Sequence, residues 1–470
     1  MQQFELLTNE QVEQIHETSI RILTQIGVEF GYPPALEMLK KGGAKVEGQR
    51  VFFSDRLIEE QINKAPGKFR LYARDPEKDV IIGGDNTVFT PGYGAPFVTE
   101  LNSGRRKGTL RDFVNFVKLT GASTNQDICS GTVIEPNDVP HEIRHAQMLY
   151  TAMKYSDKCF MGSSMGAKGA GDSIRMASIL FGSEAQLAEK PRFISILGSL
   201  SPLKYDVRML GALMEYARVG QPQLISSLSI AGATGPVTLA GNLALQNAEI
   251  LAGIVLAQLV REGTPVIFAG ASSNAEMRSG ALSIGSPEMA MNTAATAQMA
   301  RYYSLPSRSG GAVCDAKIPD AQAAYESMMS LLMAQVSGIN FILHTAGILD
   351  SYNCMSYEKF IIDDEMCGMV KRIKKGLNVN DDTLGLNAIK EVGPGGHFLD
   401  KDHTFEHFRG EFYQPTLSNR DDFEGWCAKG SFQSMEAANK KYKEILEGYE
   451  VPELSADVDK DLLKFIENMK

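Results

Sequence analysis

Apolar residues recur along most of the chain in two alternating modes: short β-prone runs, and longer stretches with the three-to-four-residue spacing of an amphipathic helix. From about residue 87 the alternation becomes regular, each β-prone run leading through a Gly/Ser/Pro loop into a helix. Eight such units can be counted. Strands are expected at 87–99, 128–134, 158–165, 193–200, 223–230, 265–272, 307–313 and 341–348. The matching helices are expected near 109–120, 140–155, 170–182, 207–219, 240–262, 287–303, 320–338 and 356–376. Alternating β and α units build either a doubly wound sheet or a closed barrel, and a count of eight favours the barrel. No G-x-G-x-x-G follows the first strand, so the dinucleotide-binding fold loses its main support.

The flanks read differently. Thr8 and Gln11 have capping-box spacing before Val12, Ile15, Ile22, Leu23 and Ile26, with Gly27 as a natural stop. The stretch from Val46 to Asp85 mixes VFFS, FRLYA and VII with a helical DRLIEEQINKA. The expected architecture is therefore an α/β (β/α)8 TIM barrel at 87–376. An N-terminal α+β subdomain precedes it at 1–86, and a C-terminal helical and loop extension at 377–470 packs on it.

With 470 residues, 43% hydrophobic, the chain can bury a large core. Its net charge of −10 and its brief basic run, Lys371–Lys375, argue against nucleic acid as a partner. That run falls near the end of a predicted helix, where cations complement the dipole. No run of about 18 unbroken apolar residues is present, and MQQFELLTNEQ has neither a basic nor an apolar leader region, so no membrane partner and a cytoplasmic location are expected. The six cysteines form no C-x-x-C pair, which suggests buried thiols rather than disulfides or a zinc knuckle.

Barrel enzymes build their sites at the C-terminal ends of the strands. That rule selects Pro91–Phe97, Gly162–Ser164, Ala271–Asn274, Arg308–Gly311 with Asp315, and His344 with Asp350 and Tyr352. His344 sits in the apolar run FILHTAGIL, where a polar ring must find a partner or a ligand, and is the catalytic candidate. Tyr93, Phe97 and Tyr352 could wall a cation with their ring faces. Arg308, Gly310 and Gly311 are further candidates at these strand ends. One motif competes. His141-Glu142-Ile143-Arg144-His145 fits H-E-x-x-H, which on a helix can bind zinc and would make the chain a metal-dependent hydrolase or lyase. It lacks an obvious third ligand, and His397, His403 and His407 read as loop packing, so no metal site is expected.

Four long strings then carry a resemblance: GATGPVTLAGNLALQNAEILAGIVLAQLV at 232–260, GSPEMAMNTAATAQMARYYSLPSRSGG at 285–311, DAKIPDAQAAYESMM at 315–329 and GPGGHFLDKDHT at 393–404. Nearly the whole chain resembles the trimethylamine methyltransferase superfamily, in the branch without pyrrolysine that includes glycine betaine:corrinoid methyltransferases. The resemblance implies a (β/α)8 barrel that receives the corrinoid of a separate partner protein at its mouth. It implies methyl transfer from a small quaternary amine to that corrinoid, a cob(I)alamin-type Co(I) species. It also implies no tightly bound cofactor, in keeping with the absence of a D-x-H-x-x-G motif, and a homo-oligomer. Glycine betaine is the first expected donor, releasing dimethylglycine, with proline betaine, carnitine or another betaine next. Because these donors share a carboxylate, the resemblance makes Arg308, His344 and the Gly310 and Gly311 amides the expected hydrogen-bond donors to it. A quaternary ammonium already carries a neutral amine as leaving group, so positioning and exclusion of water suffice without general-acid help. A non-catalytic betaine-binding protein would share the pocket yet fail to methylate Co(I).

Overall fold

The computed structural model of the protein describes residues 3–101 and 103–469. Eight parallel strands form one sheet: β1 Val88–Thr90, β2 Ile128–Cys129, β3 Cys159–Met161, β4 Phe193–Gly198, β5 Gln223–Ser227, β6 Val266–Gly270, β7 Ser307–Gly310 and β8 Phe341–Leu343. The hydrogen-bonded order is β1-β8-β7-β6-β5-β4-β3-β2. The remaining joint is bridged at Asp127, whose N–H donates to Phe89 O at 2.8 Å and whose Oδ2 accepts from Phe89 N–H at 2.8 Å. The sheet thus curls into a nearly closed barrel.

A helix follows every strand: α1 Leu110–Ala122, α2 His141–Tyr155, α3 Gly166–Phe181, α4 Val207–Arg218, α5 Leu239–Val260, α6 Pro287–Tyr302, α7 Ala321–Val336 and α8 Tyr357–Lys375. All eight strands fall within the ranges expected from the sequence and all eight helices overlap theirs, with α1 running on to Ala122, α3 starting early at Gly166 and α5 at Leu239, but the first strand does not run from 87 to 99. Pro91, Gly92 and Pro96 remove ladder donors or turn the backbone, so β1 stops at Thr90. The following strand, Phe97–Glu100, joins Gly104–Lys107, Cys354–Ser356 and Ile348–Leu349 in a separate four-stranded sheet.

Alternation along the strands sorts the core into two layers. Val88, Ile128, Cys159, Met161, Ile194, Leu224, Ile267, Ala269, Phe341 and Leu343 fill the interior, while intervening residues pack against the helices. The hairpin Lys68–Leu71/Val80–Gly83 adds Leu71, Ala73 and Ile82 to the interior cluster. It is held by Tyr72 N–H to Pro191 O at 2.8 Å and Arg74 N–H to Asp157 O at 3.0 Å, just ahead of β4 and β3. The N-terminal end of the barrel is thereby floored, leaving the opposite end for a ligand.

Helix α5 is apolar on all sides because protein surrounds it: the helices Asn9–Arg21, Pro33–Lys41 and Asp55–Ile62 lie against it. Among the described residues it is the one helix long and apolar enough to cross a membrane, and its most apolar window is 89% buried inside the protein. Thr8 and Gln11 form the expected capping box, and Gly27 takes φ 74° where the helical segment ends. The basic run at the end of α8 is structural. Lys371 reaches Asn125 O, Arg372 reaches Glu411 O and Gly376 O, and Lys374 reaches Asp85 O and Thr87 Oγ1.

Candidate active site

Register decides which polar residues enter the barrel. Arg308 is paired with Ala269 on one side and Phe341 on the other, both interior residues, so its side chain faces the same way. It is 2% exposed, and its Nε and Nη1 have no partner. Burial pushes the guanidinium down to about 10, so it remains a cation at neutral pH. A buried, under-bonded cation is costly, and such groups point to a missing anion or water.

His344 is the first residue past β8 and adopts φ 64°, which turns it off the ladder. Its N–H reaches Pro91 O at 3.3 Å, and its Nδ1 accepts the Tyr93 N–H at 3.2 Å. With Nδ1 accepting, the neutral ring carries its proton on Nε2. Burial, reinforced by the charge of Arg308, holds the imidazole well below its ordinary range, so it is neutral. The Tyr352 ring lies 4.6 Å from the His344 ring at 40°, with a buried Oη that has no partner and is pushed up to about 12 by burial. The Tyr93 ring packs on the interior cluster, and its Oη lies 3.4 Å from Ser164 Oγ. The structure thus brings Arg308, His344, Tyr352 and Tyr93 to one end of the barrel.

The other sequence candidates take different places. A guanidinium already covers the Phe97 ring, with Arg105 Cζ 4.0 Å from its centroid, and Phe97 also packs on Cys314, Leu349 and Cys354. The Gly311 amide donates to Leu343 O at 2.8 Å, so it continues the ladder rather than facing a ligand. A Cβ at Gly311 would lie 2.8 Å from Ile342 Cγ2, which explains the glycine by close approach. Gly310 pairs with Leu343, and a Cβ there would meet Met289 and Val313 at 3.2 and 3.3 Å. Asp315 braces the loops: it accepts from Ser283 Oγ, Ile284 N, Gly285 N and Ser351 Oγ at 2.7–3.1 Å. This hub helps hold Asp350, Ser351 and Tyr352, three successive residues with φ between 50° and 72°. Such left-handed turns persist only where surrounding contacts fix them.

Two residues escaped the sequence reading. Thr90 pairs with Leu343, and Ser130 continues the inward alternation of Ile128, so both face the interior, buried and with unpartnered hydroxyls. The usable signal was a polar residue at an inward position at a strand end. A deeper network sets the His344 loop. Thr345 Oγ1 lies 2.9 Å from Thr90 O and donates to Gln126 Oε1 at 2.6 Å, and Asp363 accepts the Gly347 N–H at 2.8 Å while paired with Lys359 at 2.6 Å.

Beside Tyr93, a cleft of about 460 Å³ opens between the ends of β2 and β3, lined by Thr132, Met161, Ser163 and Ser164. His141, Glu142 and His145 reach this cleft, but His145 Nε2 is 3.0 Å from Asp172 Oδ2. Among the described residues no group of three or more His, Cys, Asp or Glu side chains could share a metal ion. The His403 and His407 rings lie 4.5 Å apart, tilted at 50°, with His407 beside Asp382 and His397 beside Asp400. Around the mouth, five successive strand-to-helix loops present exposed apolar side chains: Met165, Leu200, Leu228 with Val237, Met277 and Ile318.

A family model described as trimethylamine methyltransferase (MTTB) matches residues 1–470. This chain belongs to the trimethylamine methyltransferase family. Its relatives include a glycine betaine methyltransferase of Desulfitobacterium hafniense (strain Y51), 52% identical over 98% of this chain and 96% of the relative. A proline betaine:corrinoid methyltransferase of Eubacterium limosum is 33% identical over 96% and 95%. A trimethylamine methyltransferase MttB of Desulfitobacterium hafniense (strain DSM 10664 / DCB-2) is 31% identical over 98% and 93%. In fold, the chain is similar to the crystal structure of the Methanosarcina barkeri monomethylamine methyltransferase, with a TM-score of 0.59 over 96% of this chain and 90% of that one. At 11% identity that likeness speaks for the family's α/β barrel alone.

Proposed function

We propose that the chain transfers a methyl group from glycine betaine to the Co(I) corrinoid of a separate partner protein, releasing dimethylglycine. The observation that carries this reading is Arg308, a cation buried in the barrel with two unpartnered nitrogens beside His344 and Tyr352. A betaine supplies the carboxylate that Arg308 lacks. Its ammonium suits the neutral rings of Tyr93 and Tyr352 and the neutral imidazole of His344, whose Nε2–H can donate to the same carboxylate. The identity to a glycine betaine methyltransferase supports this donor over proline betaine, which carries the same two groups.

The partner's reduced corrinoid serves as the methyl-accepting nucleophile. The N–CH3 bond breaks with its electron pair left on nitrogen, so no proton must be supplied. The protein's contribution is to fix the betaine by its carboxylate, point one methyl out of the barrel and exclude water. The exposed apolar rim from Met165 to Ile318 suits a carrier that covers the mouth. The carrier's corrinoid is a substrate, and no tightly bound cofactor of the chain's own is proposed. Five buried thiols and a Co(I) acceptor suit a reducing cytoplasm.

The test is a panel of quaternary amines incubated with the chain and cob(I)alamin, followed by absorbance. Glycine betaine should convert the Co(I) spectrum to that of methylcobalamin and yield equimolar dimethylglycine. Failure with every betaine, free cobalamin and cognate corrinoid protein alike, would overturn the reading.

A further inference from the structure

We propose that the segment 377–432 is the surface through which a second copy of this chain binds. Among the described residues, eight large apolar side chains are two-thirds or more exposed, and six of them lie here: Leu377, Val379, Leu399, Phe405, Phe412 and Phe423. The segment contains three short helices, α9 Leu386–Val392, α10 Asp402–Glu411 and α11 Phe423–Ala428. None of the three packs extensively against another described element, and α10 and α11 bury no residue. Helices of six to ten residues have little stability of their own in water. The segment is rooted mainly on α8, by Arg372 to Glu411 O at 2.9 Å, Tyr413 Oη to Glu365 O at 3.2 Å and Thr416 N–H to Glu365 Oε2 at 2.9 Å.

Exposed apolar area in this segment is on the order of 1,000 Å², counting roughly 200 Å² for a fully exposed large side chain. That exceeds the roughly 800 Å² each partner buries in a stable interface. A bilayer is a poor occupant, because the segment carries ten Asp and Glu against five Lys and Arg and would be repelled by anionic lipid. The corrinoid carrier is also disfavoured, an argument that rests on the proposed reaction. The root lies where Lys374 meets Asp85 and Thr87 at the entry to β1, the end of the barrel opposite the mouth. A permanent apolar contact fits a second copy, with like segments meeting about a two-fold axis and their carboxylates at the rim.

Like charges around an apolar centre make a further expectation: self-association should tighten with added salt, whereas a charge-matched partner would loosen. The test is sedimentation of the full chain at about 0.2 and about 20 μM, read without any activity measurement. A mass at a multiple of 51.4 kDa is expected for the wild type. The paired variants Leu399→Glu/Phe405→Glu and Phe412→Ser/Phe423→Ser should each weaken association by roughly tenfold or more, with unchanged thermal melts and unchanged methylation of free cobalamin. Hydrogen exchange of the wild type guards against misfolded variants: amides of α9 and α10 should be better protected at the higher concentration. A monomer at both concentrations, an oligomer indifferent to both variants, or protection that appears only with the corrinoid protein would each overturn the proposal.

Discussion

Arg308→Met tests the site where stability and function pull in opposite directions. The guanidinium is buried with Nε and Nη1 unpartnered, and its fall to about 10 corresponds to about 3 kcal/mol against the charged form. Replacing even a buried ion pair by apolar side chains of similar volume is often neutral or gains about 1–4 kcal/mol, and Arg308 has no charged partner to lose among the described residues. The ligand-free variant should therefore unfold at higher urea concentration than the wild type. Binding should move the other way. A desolvated charge pair with a carboxylate contributes about 2–5 kcal/mol, so glycine betaine affinity and kcat/KM should drop by roughly 30-fold to several thousand-fold. Titration calorimetry and urea melts with and without betaine read both effects. At about one hundred times the wild-type Kd, betaine should stabilise the wild type by about 2.7 kcal/mol and the variant by less than about 1 kcal/mol. A variant that is less stable yet binds betaine normally would refute the reasoning and make Arg308 a structural residue.

Four further outcomes are expected. His344→Ala should lower methyl transfer at least roughly tenfold with the fold intact, since the neutral Nε2–H is lost; a parallel loss of thermal stability would mark a packing role instead. Burial holds His344 and His16 below the ordinary 6.5, so the unfolded chain takes up protons first as pH falls. Their contribution to stability is intact above about 6.5 and lost below it, and the methylation rate should show no inflection near 6.5 that disappears in His344→Gln. Tyr93→Ala should weaken betaine binding by about 1–2 kcal/mol while Tyr93→Phe retains most of it; equal affinity in all three would remove Tyr93 from the site. Asp363→Ala strands Lys359, 1% exposed, without its carboxylate and should cost about 3–5 kcal/mol in urea unfolding. The Lys359→Met/Asp363→Leu double variant should recover most of that, and a full-strength defect in the double would argue against the pairing.

Local patterning is enough to show the eight β/α units and the end of the barrel to search. Strand and helix periods are local properties: Ile267 and Ala269 alternate inward with a period of two, and α1 to α8 each begin and end close to residues that cap, turn or break a helix. Polar residues at strand ends also stood out, because His344 interrupts an apolar run wherever that run goes and Arg308 stands in the small-residue string Ser307–Gly311. What the periods could not decide was direction and company. Arg308 faces the interior because β7 registers with β6 and β8, and His344 meets Tyr93 because a positive φ turns it off the ladder. Phe97 looked like a cage ring but receives Arg105 from a strand paired beside it, and Asp315 looked like a ligand group but ties two loops together. The H-E-x-x-H spacing was satisfied on α2, yet His145 turned to Asp172 on the neighbouring helix. Each of these outcomes depends on residues tens to hundreds of positions apart, brought together by strand register and barrel closure, which no local pattern encodes.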